Sequence, residues 1–172
     1  MVAGDLSKTT AIPEREPQMF PDDVYRKQLS EIISVLENWA RDNRDSAQIE
    51  TVSTASYWKM SAVPHVHGAC PFELLLRADQ RFNVAIAGEV YEDNPIAKFD
   101  FFTMLVGAIA RGHVERIQVL NALTGAPEAM ETRVTLEDGW AWIGERRIGP
   151  RNPQRLESTQ ELRTRRYLAY RR

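Results

Sequence analysis

FELLLRADQRFNVAIAGEV, residues 72–90, decides the fold class. Phe72, Leu74, Leu76 and Ala78 alternate with Glu73, Arg77 and Asp79. After a short polar link at 79–81, Phe82, Val84, Ile86 and Val90 alternate with Asn83 and Glu89. A period of two with one apolar side is the pattern of a half-buried strand, and two such runs joined by so short a link predict an antiparallel hairpin. Upstream, residues 48–60 are β-branched, small and aromatic, with Val52, Thr54, Tyr57 and Trp58, and read as a third strand at a sheet edge. Pro64 and Pro71 bracket the loop between them.

Two helices flank this group. Pro21-Asp22-Asp23 supplies a helix start, and Tyr25, Leu29, Ile32, Leu36 and Trp39 follow at spacings of 4, 3, 4 and 3. That stripe predicts an amphipathic helix ending near 42–45. Asn94-Pro95 is read as opening the second helix and Gly112 as closing it. Between them Phe99, Phe101, Phe102, Met104, Leu105, Val106 and Ile109 cover most of the circumference, which predicts a central core helix or one that also meets a partner subunit. Thr103, Gly107 and Ala110 leave one side of it small.

Three further strands are expected at 114–122, 129–137 and 140–148. Asp138-Gly139 between alternating runs is a strong hairpin signal. Read as a two-residue loop, it places Val134 beside Ile143, Leu136 beside Ala141, Thr135 beside Trp142 and Glu131 beside Arg146. Residues 154–170 are read as helical. The expectation is therefore an α+β fold. It has an antiparallel meander of about six strands, in the order helix, three strands, helix, three strands, with helices on one face and a C-terminal helix. In element order alone, this is similar to the small dimeric chaperones of specialised secretion systems.

The chain of 172 residues is long enough for one self-sufficient core. It divides into a disordered arm at 1–20, one α+β domain at 21–149 and an arginine-rich extension at 150–172. Net charge is −2, but residues 1–145 hold 22 acidic and 13 basic side chains, whereas 146–172 hold nine arginines against Glu157 and Glu161. That is an acidic body with a basic tail. A single cysteine excludes an intramolecular disulfide, the N-terminus lacks a signal-peptide pattern, and 101–110 is too short to cross a bilayer. The expected location is the cytoplasm, with no membrane partner.

Three candidate sites stand out. In the loop, His65, His67 and Cys70 have donor chemistry for a divalent metal, the two histidines projecting to one side of an extended segment. The His-x-His spacing is similar to the first metal motif of cupins, but Glu73 comes six residues after His67 and no second motif follows. His113, after Gly112, is either a cation on the helix dipole or a third ligand. The second candidate is a surface: on the register above Arg133, Trp140, Trp142 and Arg146 share a face that could stack on a partner or a planar ligand. The third is the basic tail, Arg163, Arg165, Arg166, Arg171 and Arg172, interleaved with Tyr167 and Tyr170, which suits phosphate contacts or docking on the chain's own body.

No phosphate loop, dinucleotide fingerprint or nucleophile signature is present, and no cofactor is expected. Three functions are expected, in descending order. The first is a non-enzymatic interaction or adaptor protein, self-associating as a dimer through an apolar helix. The second is a small-ligand or metal-dependent enzyme with a sheet–helix pocket using His65 and His67. The third is weak nucleic-acid binding through the tail.

Overall fold

The computed structural model describes residues 19–148 and 160–171. The N-terminal arm before Met19, the start of the C-terminal extension and Arg172 lie outside the described residues. Helix α1 (Asp22–Asp42) is followed by five strands, β1 (Ala47–Ser53), β2 (Tyr57–Pro64), β3 (Phe72–Arg77), β4 (Arg81–Ile86) and β5 (Glu89–Pro95). Helix α2 (Asp100–Ala110) leads into β6 (Val114–Asn121), β7 (Pro127–Thr135), β8 (Ala141–Arg147) and β9 (Gln160–Arg166). The fold is α+β, with two antiparallel sheets. Sheet 1 runs β1-β2-β3-β4-β5 and sheet 2 runs β8-β7-β6-β9.

The strand count exceeds the expected one for a local reason. Residues 48–60 and 82–90, each read as one strand, are both folded into hairpins. In the second, Ile86 pairs with Glu89 around Ala87 and Gly88, whose φ angles of 57° and 84° are those of a two-residue type I′ turn. The turn reverses the parity of the strand after it, so Val90 is exposed while Glu89 and Tyr91 are buried. The expected C-terminal helix is also corrected. Residues 160–166 form β9, paired antiparallel with β6 from Glu115↔Arg166 to Asn121↔Gln160. Arg163 and Arg165 alternate with Leu162, Thr164 and Arg166, and pairing with β6 favours this period of two over a helical one.

Helix α2 begins at Asp100, later than expected, because β5 continues through Pro95 and residues 96–99 form the connection. Its end matches the glycine signal. Gly112 has φ 79°, its N–H donates to the Ile109 carbonyl, and His113 N–H donates to the Ala108 carbonyl, the paired bonds of a Schellman cap.

One face of sheet 1 carries the core. Cross-strand pairing puts Trp58, Leu76 and Phe82 in one row and Ala62, Phe72 and Ile86 in another. Onto this face α1 sets Trp39 against Phe72, and α2 sets Phe101 and Phe102 against Phe82. Beside them, Tyr91 meets Trp142 of sheet 2 edge-on at 5.3 Å. The helices and sheet 2 therefore share the same face of sheet 1, and all three meet in one core of buried side chains. At the N-terminal end Phe20 exchanges two 2.7 Å hydrogen bonds with the buried side chain of Gln80.

Candidate functional site

The histidine loop folds as a turn. Ala69 N–H donates to the Val66 carbonyl across His67 and Gly68, and Gly68 has φ 87°, the left-handed position of a type II turn. His65 and His67 are exposed, with His65 Nδ1 3.3 Å from the Asp45 carbonyl oxygen. Cys70 is buried completely, and burial pushes its thiol up to about 12. The three are not brought together. Among the described residues no group of three or more His, Cys, Asp or Glu is placed to hold a metal ion. His113 lies at the far end of α2, exposed.

What the loop does hold is the C-terminal segment. Leu168 N–H donates to the Gly68 carbonyl at 3.0 Å, and the Tyr170 hydroxyl donates to the Cys70 carbonyl at 2.7 Å. Tyr170 N–H reaches the Ala110 carbonyl at the end of α2, and Arg171 Nη2 reaches the Asp42 carbonyl at the end of α1. The tail thus docks on its own body. A cation on the last carbonyl of a helix also complements its dipole. The arginines have separate fates: Arg166 pairs with Glu115 at 2.8 Å, Arg163 with Glu161 at 3.4 Å, and Arg165 sits 4.9 Å from the Tyr167 ring centre.

The surface of Arg133, Trp140, Trp142 and Arg146 is divided by a one-residue change of register. The turn has three residues, not two. Leu136 N–H donates to the Trp140 carbonyl, Gly139 is left-handed at φ 85°, and Asp138 Oδ1 accepts from Trp140 N–H. Val134 therefore pairs with Trp142 and Arg133 with Ile143, and Glu131 lies opposite Glu145 instead of Arg146. Trp142 and Arg146 turn inward, Ile143 turns outward, and Trp140 stands exposed at the tip. Packing selects this register. Gly144 faces the Tyr91 ring so closely that a β-carbon there would lie 2.6 Å from it, so only glycine passes.

Inward-facing Arg146 completes a cluster that was not legible in the sequence. Glu89, whose side chain is 6% exposed, accepts from Arg146 Nε at 2.7 Å and Nη2 at 3.2 Å, and from Arg116 Nη2 at 3.3 Å. The Arg146 hydrogen bonds, reinforced by the charges of both arginines, hold the Glu89 carboxyl below its ordinary range against the opposing effect of burial. Next to it the Tyr91 hydroxyl donates to Thr132 Oγ1 at 2.7 Å. These contacts join β5 of sheet 1 to β6, β7 and β8 of sheet 2.

A cleft of about 320 Å³ opens between the end of β5, the start of α2 and Trp142. Its walls are chiefly apolar, Phe82, Ile96, Phe101, Phe102 and Trp142, with Asn94 and Lys98 as polar members. This is a sheet–helix pocket, but its lining contains no histidine. Comparison with known protein families, curated proteins and solved structures returns no match.

Proposed function

We propose that this chain is an adaptor-type interaction protein that works as a self-associated pair. The observation that carries the reading is the outer face of sheet 2. The β6–β7 and β6–β9 registers align Ala129, Val119 and Leu162 in one row, with Ile117 next to Val119 on the same face. Leu162 is 64% exposed, and Ile143 on β8 shares this side at 51%. The next row on this face, through Ile117, carries Glu131 and Glu145, and the row beyond it carries Arg133 and Arg166 around Glu115. A twofold axis running between those rows sets arginines of one copy against glutamates of the other, which is the self-complementarity an isologous contact requires. Helix α2 supports the same choice of surface, because Phe102, Leu105, Val106, Ala108 and Ile109 are already consumed by the core.

Native mass spectrometry at micromolar protein tests the reading. The expected result is a dimer for the wild-type chain and a monomer for Val119→Asp/Leu162→Asp, with unchanged far-UV circular dichroism. A monomeric wild-type chain sinks it. A second reading has its own observation, the cleft beside Trp142, whose size and apolar lining suit a compact aromatic or aliphatic ligand. Its expected sign is a small molecule retained in the same native spectra and lost in Phe101→Asp.

A further inference from the structure

We infer that the inner face of sheet 2 beside β9 receives an extended acidic segment of a partner protein, which pairs along β9 as an added strand. The inference rests on the adaptor reading but uses the opposite face of the sheet. Arg116 on β6 lies directly opposite Arg165 on β9, and Gln118 lies opposite Arg163. On the other side of β6, Gln118 is aligned with Met130, which in turn faces Arg146. Four guanidiniums therefore occupy two adjacent rows on one face.

The carboxylates available to them are few. Among the described residues Glu89 is shared by Arg116 and Arg146, and Arg163 pairs with Glu161, both of these last side chains being exposed. Arg165 has an aromatic ring under it and no carboxylate partner among the described residues. Like charges directly opposite each other weaken a sheet. Charges along an edge strand commonly serve to block edge-to-edge aggregation, and β9 is an edge among the described residues. That purpose needs arginines on β9. It does not need a second arginine on β6 directly behind one of them. The arrangement is that of a site awaiting an anion.

The edge itself selects the class of anion. A strand added to β9 hydrogen-bonds through its backbone, and its side chains opposite Arg163 and Arg165 point to the same face, two residues apart. Glutamates or aspartates at i and i+2 would meet both. A polynucleotide has no regular series of amide N–H and C=O groups to pair with such an edge, and its phosphates would approach a body whose residues 1–145 carry nine more acidic than basic side chains.

Fluorescence anisotropy with a labelled peptide alternating Glu and Thr, at low salt, tests the site. Saturable binding is expected. Arg165→Glu should weaken it at least about tenfold, because attraction becomes like-charge repulsion. Arg163→Glu should do the same and serves as a second reading should the first variant unfold. Arg166→Glu, on the opposite face of the same strand, should change it by less than about twofold. N-methylation of alternate peptide nitrogens should also weaken binding about tenfold, through lost strand pairing. No binding, equal binding of a Lys-Thr peptide, or indifference to both Arg variants or to N-methylation would overturn the proposal. An oligonucleotide that binds more tightly than the peptide would transfer the site to nucleic acid and equally overturn it. Native mass spectra of the same samples separate the two readings: a dimer that ignores the peptide sinks only this inference, and a monomer that binds it sinks only self-association.

Discussion

Every strand of sheet 1 pairs with its neighbour in the chain, β1 to β5 in order, whereas sheet 2 runs β8-β7-β6-β9 and closes on the strand that arrives last. Sheet 1 is held by a continuous apolar face in which Met60, Leu74, Leu76 and Ile86 have no exposed surface. Sheet 2 shares that core through Val114, Val134 and Trp142, but its outer strands depend on a few specific contacts: the Glu89 clamp, the glycine at the end of α2 and the Tyr170 anchor. Distributed burial fails everywhere at once. Discrete anchors fail one at a time, which makes sheet 2 the part of the molecule able to open locally.

The largest effect expected from breaking this contrast is at Leu74. Leu74→Ala removes a fully buried side chain from the middle of sheet 1 and should cost about 3 kcal/mol in urea unfolding, with both sheets lost in one transition. A loss under about 1 kcal/mol would show that this face is not the common core.

Gly112→Ala should come next, at about 2 kcal/mol, since it forces a left-handed residue to carry a β-carbon. That carbon would lie 2.7 Å from the backbone of Leu168 and Ala169. Hydrogen exchange should show amides of 160–170 losing protection while β2–β4 keep theirs. Uniform loss across both sheets would erase the distinction.

Glu89→Gln should cost about 1–2 kcal/mol at neutral pH, less than a fully buried ion pair because both arginines reach solvent. The folded carboxyl lies below its unfolded value of 4.5, so its contribution is present above that pH and is lost as pH falls through the folded value. The gap between wild type and variant, measured by thermal unfolding, should therefore narrow below about pH 4. A gap independent of pH would remove Glu89 from the electrostatic account of sheet 2.

The legible part of the fold was whatever short-range pattern decides. The stripe from Tyr25 to Trp39 gave α1, Gly112 gave the end of α2, and alternation gave β3, β4 and β7. Strand breaks were missed where the turn carried no strong punctuation: Ala87 occupies a left-handed position usually left to glycine or asparagine. Among the candidate site residues, the tail arginines and the docking tyrosines were visible as a composition. The Glu89 cluster was not, since Glu89, Arg116 and Arg146 come from three distant strands and share no spacing.

The sequence by itself determined which segments are apolar on one side, where the second helix stops, that charge is split between body and tail, and that the class is α+β. Tertiary structure alone decided the register of β8, where Gly144 had to pass the Tyr91 ring, and so which way Trp142 and Arg146 face. It also decided that the C-terminal segment is a strand: its alternating arginines have no preference strong enough to choose a shape, and the unpaired side of β6 supplied one. Local patterns encode which residues want burial; only the assembled core fixes which neighbour buries them.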